Sequence, residues 1–330
     1  MISLTSLQVA QLKERLPSLI ENEPMQKHTT FHIGGPARTY FVATTSDEAV
    51  RAVEAAQELQ IPWYVSGGGT NLLVADAGYE GLLIQMTNRV CTIDGLTVHA
   101  ESGTIFTLLA RQTVEAGLSG LEWASGVPGT IGGAIYGNAG CYGGEIGDVI
   151  IWVDAFRLSD RTRVKIEVSQ CFFGYRDSIF KHEPHVILGC ELHLKKSDDV
   201  VASKRRMDEI MAERRAKQPI DFPSAGCVFK NAEFHDEQDL AQLREQVDEI
   251  PRAMVNSHKL GAGWLIDQAG CTGKAVGAME VSMKHGNFFV NKGGATADDA
   301  IALISLVKMN VRDKLGIELH EEVQYLGFET

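Results

Sequence analysis

Residues 126–140 constrain this chain more than any other stretch. The run Gly126-Val127-Pro128-Gly129-Thr130-Ile131-Gly132-Gly133-Ala134-Ile135-Tyr136-Gly137-Asn138-Ala139-Gly140 holds six glycines in fifteen positions and no charge. Glycine lets a backbone turn through positive φ and lets a ligand lie against bare amides. Successive N–H groups then form a concavity that suits a diphosphate. A second loop, Gly67-Gly68-Gly69-Thr70-Asn71, follows the apolar Trp63-Tyr64-Val65. Neither loop is a G-x-G-x-x-G, and no G-x-x-x-x-G-K-[ST] occurs, so neither dinucleotide-fold nor P-loop chemistry has a motif behind it. The pair points to one extended ligand gripped from two sides; tight turns alone are the other explanation.

Composition narrows the classes. The 330 residues are 44% hydrophobic, enough for two or three modest domains. Net charge is −12, from 31 basic and 43 acidic residues, with no long basic block, which argues against a nucleic-acid surface. Six cysteines, at 91, 141, 171, 190, 227 and 271, form no C-x-x-C pair and read as reduced thiols of a cytoplasmic protein. The first 23 residues lack a basic segment followed by an apolar one, and no apolar run approaches about 18 residues, so neither a signal peptide nor a membrane span is expected.

Periodicity and punctuation predict a helix over 6–20, a strand over 39–43, and a helix over 46–60 capped by Ser46. A strand over 63–66 completes a βαβ unit that ends at the first glycine loop. Strands follow at 81–86 and 97–100, with a helix over 105–116. The large glycine loop leads to strands at 149–158, 164–168 and 186–194. A charged helix covers 200–217; its Arg214-Arg215 read as part of a solvated face. Thr296 caps a last helix with Gly316 past its end. A final strand covers 317–328. The fold class is α+β with three domains.

Few residues offer chemistry. His182-Glu183-Pro184-His185 has the wrong spacing for a zinc helix, and no metal site is expected. Tyr175-Arg176-Asp177-Ser178 places an arginine among aromatics, either as a rigid carboxylate clamp or as a structural pair with Asp177. Cys227 lies in Ser224-Ala225-Gly226-Cys227-Val228-Phe229-Lys230-Asn231, either as a packed thiol or as an acid tuned by a nearby cation. Alternation across 317–325 puts Glu321 on the face of Ile317, Leu319, Val323 and Tyr325, with Glu322 opposite; it does not say which carboxylate matters.

Taken in order, these motifs carry a resemblance. Thr30-Phe31-His32-Ile33-Gly34-Gly35-Pro36-Ala37, Gly67-Gly68-Gly69-Thr70-Asn71-Leu72-Leu73, 126–140, Tyr175-Arg176-Asp177-Ser178, 226–231, Ala262-Gly263-Trp264-Leu265-Ile266-Asp267-Gln268-Ala269-Gly270 and Glu322-Val323 together resemble the UDP-N-acetylenolpyruvoylglucosamine reductase family of peptidoglycan precursor synthesis. The match runs along nearly the whole chain.

The resemblance implies an FAD-binding domain of the vanillyl-alcohol-oxidase type, with subdomains at 1–75 (to which the strand 317–330 can add) and 76–218. A separate substrate domain follows at 219–316. It implies non-covalent FAD held by Gly67, Gly68, Gly69, Thr70, Asn71, Leu72, Gly126, Val127, Pro128, Gly129, Thr130, Ile131, Gly132 and Gly133. NADPH is the co-substrate, and hydride passes through FAD to the enolpyruvyl double bond. Arg176, Cys227 and Glu322 match catalytic positions, Cys227 as proton donor. Tyr175, Arg176, Lys230 and Asn231 match substrate contacts. No obligate protein partner is implied.

The chain departs from the family pattern in places. Cys227 stands where serine is common, Ala232 follows Asn231 where proline is usual, and about twenty residues are inserted near 233–252, including the acidic helical stretch Asp236-Glu237-Gln238-Asp239-Leu240. The short run 195–219 matches the branch lacking an extra substrate-covering loop. Rival readings are a sugar or hydroxy-acid oxidase on the same fold, which often holds flavin covalently and would use Cys141, and a non-catalytic nucleotide-sugar binding protein. A Cys-nucleophile hydrolase lacks an identifiable His partner.

Overall fold

Four threonines start helices. Thr5, Thr45, Thr130 and Thr296 each accept a hydrogen bond from a backbone N–H of the first turn, opening Ser6–Arg15, Ser46–Glu58, Ile131–Tyr136 and Ala297–Leu315. The cap of the second is therefore Thr45, one residue before the expected Ser46. These elements are those of a computed structural model, which describes residues 4–236, 238 and 240–328. The described chain forms two compact units: Met1–Glu23, Ala37–Gly69 and Tyr79–Arg214, and Pro24–Pro36, Thr70–Gly78 and Arg215–Thr330.

The first unit holds two sheets. One runs in the order Ile20–Pro24, Pro36–Ala43, Tyr79–Met86, Trp63–Ser66. Tyr79–Met86 pairs in parallel with both Pro36–Ala43 and Trp63–Ser66, so it lies between the two strands of the βαβ unit. Helix Ser46–Glu58 buries Ala49, Val53 and Ala56 in the same core as Leu82 and Ile84. The other sheet is antiparallel, in the order Thr162–Glu167, Ile150–Arg157, His185–His193, Thr97–Glu101, Cys91–Asp94. Its core joins Val98, Val153 and Leu192 to Phe106 of helix Phe106–Glu115 and to Ile131 and Ile135 of the glycine run.

The second unit centres on helix Ala297–Leu315. Leu303, Val307 and Val311 share a core with Leu265, Val281 and Phe289. Strand Leu72–Val74 pairs in parallel with Gln324–Leu326. The inserted residues also join this core: Leu240 and Leu243, at and just inside the start of helix Ala241–Gln246, are fully buried. Of the inserted acidic stretch, Glu237 and Asp239 lie outside the described residues.

The architecture is α+β as expected, with three local differences. The first helix is Ser6–Arg15, and residues Ile20–Pro24 form a strand; Pro17 disfavours a helical conformation at Leu16 and stops it early. Residues 131–136 are a short helix inside what reads as loop, because Thr130 caps them and Ile131 and Ile135 find a core. The final strand is only Gln324–Leu326. Before it, Glu322 and Val323 both direct their N–H groups at Val228 O, at 2.8 and 3.3 Å, which breaks the alternation a regular ladder needs.

Candidate active site and cofactor cradle

The chain leaves strand Trp63–Ser66 directly into Gly67, and a Cβ there would collide with Thr130 Oγ1. The two glycine loops, roughly sixty residues apart in sequence, therefore meet, and Gly67 is the residue that permits the approach. Gly69 (φ 61°) and Gly129 (φ 107°) take the left-handed turns. The second loop is fixed by backbone bonds from Phe106 N–H to Gly129 O (3.0 Å), from Ile131 N–H to Thr104 O (2.9 Å) and from Gly132 N–H to Ser102 O (2.9 Å). Ile131 and Leu72 are buried core side chains, while Pro128 and Gly68 are exposed.

The cradle fits a polar cofactor. Ser125 Oγ, one residue before Gly126, and Thr104 Oγ1, whose main-chain carbonyl accepts from Ile131 N–H, are buried with no hydrogen-bond partner in the protein. A buried hydroxyl without a partner is costly, and an acceptor-rich group such as a flavin or diphosphate would satisfy both. Arg214 was missed by the sequence reading. A Cβ on Gly126 would collide with Arg214 Cδ, so the arginine stem crosses the loop rather than facing only solvent. The helical charge pattern carried no signal for this; the bare Gly126 is its counterpart.

Arg176 occupies a turn closed by Gly174 N–H to Asp177 O (3.0 Å) and Asp177 N–H to Gly174 O (3.2 Å). Its φ of 54° is left-handed, unusual for a long side chain. Neighbours hold it there. Lys181 Nζ donates to Arg176 O (2.7 Å), Asn138 Nδ2 to Gly174 O (2.9 Å), and Ser178 Oγ to Tyr136 O (2.8 Å). Arg176 Nη2 donates to Gly140 O at 2.9 Å, at the end of the glycine run, and the guanidinium carbon lies 5.4 Å from the Tyr175 ring centroid. The Asp177 carboxylate meets His182 Nε2 at 2.9 Å. Cys141 donates to Trp123 O at 3.3 Å. Burial pushes its thiol up, only partly offset by Arg214 and Arg176, so it is a poor thiolate. A cavity of about 630 Å³ beside Trp123 and Tyr142 is lined by none of the expected site residues.

In the second unit, residues 227–230 thread between two segments. Cys227 bridges Phe288 on one side, and Phe229 bridges Glu321 on the other. Val228 N–H donates to Asn287 O (2.9 Å), Glu322 N–H to Val228 O (2.8 Å), and Lys230 N–H to His320 O (2.9 Å). Asn287, also missed by the sequence reading, is buried; its side chain accepts from Phe229 N–H at 2.9 Å and donates to Phe229 O at 2.8 Å, acting as a strand partner. Cys227 and Glu322 thus flank one backbone clamp. The Glu321 carboxylate meets Lys308 Nζ at 2.8 Å, and the main-chain carbonyl of Glu322 accepts from Asn71 Nδ2 at 2.9 Å. Asn231 Oδ1 accepts from Ala262 N–H at 3.1 Å, tying it to helix Ala262–Gln268.

Comparison with known proteins decides the family. A protein of Heliobacterium modesticaldum named UDP-N-acetylenolpyruvoylglucosamine reductase is 37% identical over 310 residues, 93% of this chain and 90% of that protein. One of the same name from Clostridium novyi is 33% identical over 332 residues, covering 98% and 99%. The chain belongs to the UDP-N-acetylenolpyruvoylglucosamine reductase family. The family profile for the C-terminal domain of that reductase matches residues 218–326, and the FAD binding domain profile matches 37–165. The crystal structure of the reductase from Thermus caldophilus superposes with a TM-score of 0.72 at 32% identity, covering 94% of this chain and 98% of that one. Among the described residues, no group of three His, Cys, Asp or Glu side chains is placed to hold a metal ion, and no helix is long and apolar enough to cross a membrane.

Proposed function

We propose that this reductase uses NADPH and FAD to reduce UDP-N-acetylglucosamine enolpyruvate to UDP-N-acetylmuramate for peptidoglycan synthesis, with Arg176, Cys227 and Glu322 as its catalytic side chains. Its substrates are small molecules, the reaction is cytoplasmic, and it needs no obligate protein partner. FAD is held non-covalently by residues 67–72 and 126–133; the FAD-binding part spans 1–218 and the substrate part 219–316. The observation that carries the reading is the clamp in which Glu322 N–H binds Val228 O beside Cys227.

When bound, FAD supplies the hydride that NADPH has delivered to it. Addition to the enolpyruvyl double bond leaves negative charge on the carbon next to the carboxylate. The Arg176 guanidinium and the Glu322 carboxyl draw that charge into the carboxylate oxygens, the transition-state stabilisation that preorganised groups provide. Cys227 Sγ–H then gives its proton to the carbon, and solvent restores the thiol; a thiol is a stronger acid than the serine hydroxyl common at this position. Tyr175, Lys230 and Asn231 orient the substrate.

An absorption spectrum of the purified protein, followed by NADPH titration with and without the enolpyruvyl sugar, tests the proposal. The flavin bands should bleach with NADPH and return when the sugar is added. Bands that NADPH does not bleach would point to a binding protein, and bands that return with oxygen but not with the sugar would point to an oxidase on this fold.

A further inference from the structure

Glu322 is held through its main chain from both ends. Its N–H donates to Val228 O at 2.8 Å, and its C=O accepts from Asn71 Nδ2 at 2.9 Å and from Gln324 Nε2 at 3.1 Å. Asn71 also accepts Gln324 N–H on its own carbonyl at 3.0 Å. Just beyond these bonds, Leu72 stands opposite Gln324 in the parallel pair Leu72–Val74 and Gln324–Leu326. Asn71 and Glu322 are 251 residues apart, so this is a tertiary staple and not a local turn.

The chemistry suits asparagine. The site needs a short side chain that donates to a carbonyl while its own backbone accepts from the partner strand; aspartate at neutral pH offers no donor, and leucine offers none at all. Asn71 also lies two residues after Gly69, at the end of the first glycine loop.

We infer that Asn71 is a positioning residue for Glu322: its side-chain amide is committed to the Glu322 carbonyl, and it fixes where the Glu322 carboxyl meets the substrate. The inference rests on the proposed catalytic role of Glu322. It assigns the Asn71 side-chain N–H to the main chain of the acid. A displacement of about 1 Å in a catalytic group can cost on the order of a hundredfold in rate.

The test compares Asn71→Leu and Glu322→Gln with the parent holoenzyme in stopped flow, alongside FAD affinity and thermal midpoint. Asn71→Leu should slow flavin reoxidation by the enolpyruvyl sugar roughly tenfold to a hundredfold. The KM for that sugar, the rate of flavin reduction by NADPH and the FAD affinity should stay within about twofold of the parent, an interval small against the catalytic effect. If FAD affinity or flavin reduction falls in step with reoxidation, the Asn71 side chain is a cofactor contact and the inference is overturned. If Glu322→Gln slows reoxidation and Asn71→Leu does not, the inference fails while the proposed function stands. If Glu322→Gln itself reoxidises at the parent rate, the proposed role of Glu322 fails, and this inference with it. Should Asn71→Leu not fold, Asn71→Ala, which removes the same donor without adding bulk, carries the test with the same expected split between half-reactions.

Discussion

At the scale of single residues, Arg176 and Cys227 are separable by half-reaction. Arg176→Lys keeps the charge but cannot rebuild a planar fork, and it gives up the Nη2 bond to Gly140 O. Turnover should fall at least about tenfold, near 1.4 kcal/mol of transition-state stabilisation, with flavin reduction by NADPH spared. Normal turnover in the lysine variant would make Arg176 a structural residue. Cys227→Ser should remain active, since a hydroxyl can still deliver a proton. Cys227→Ala should keep NADPH-driven reduction but slow reoxidation by about a hundredfold, the usual contribution of a general acid. Reoxidation at the parent rate in the alanine variant would leave Cys227 a packed thiol. The motifs singled out both residues as candidates. Their supports were not legible: Lys181, five residues on, donates to the Arg176 carbonyl, and Asn287, 58 residues on, pairs with Phe229, through polar groups whose local sequence shows no periodic signal.

At the scale of elements, the meeting of the two glycine loops gives a sharp test. Gly67→Ala puts a methyl against Thr130 Oγ1, the atom that accepts from Gly133 N–H at 3.4 Å and caps helix Ile131–Tyr136. Overpacking of this kind costs about 1–3 kcal/mol. The double variant Gly67→Ala/Thr130→Gly removes the collision and keeps an acceptable cap, so it should recover more than half of the loss. Urea melts of the two single variants and the double variant measure the coupling; additive losses would show that the loops do not touch. Both loops were visible as glycine-rich runs, and most helices and strands came within two residues because caps and alternation marked them. Helix Ile131–Tyr136 was hidden by the low helix propensity of Gly132 and Gly133, which the Thr130 cap and buried Ile131 override. The short final strand was hidden because alternation over 317–325 does not reveal that Val228 O serves two N–H groups.

At the scale of the whole molecule, a reading along the line cannot see a chain that returns. This chain passes between its two compact units after Glu23, Pro36, Gly69, Gly78 and Arg214. The short segments 24–36 and 70–78 join the second unit because Phe31, Ile33 and Leu73 are buried in its core. Most of the FAD profile and the partnerless hydroxyls of Ser125 and Thr104 fall in the first unit, while residues 70–78 of the profile fall in the second. A ligand that binds only the folded state stabilises it by mass action, about 2.7 kcal/mol when its concentration is 100 times the dissociation constant. With a folding unit of this size, each kcal/mol moves the midpoint by about 2–4 °C, so FAD added back to stripped protein should raise it by about 5–10 °C. Differential scanning calorimetry across an FAD titration measures this, and acid precipitation of the reconstituted protein should release all the yellow colour, as the proposed non-covalent attachment requires. An FAD that takes the Ser125 hydroxyl as a partner draws part of its gain from that bond, so under the proposed cradle Ser125→Ala, which removes one buried orphan, should stabilise the stripped protein while shrinking the FAD-induced rise. A midpoint indifferent to FAD, in a protein that stays colourless, would remove FAD from the cradle and the reductase reading with it.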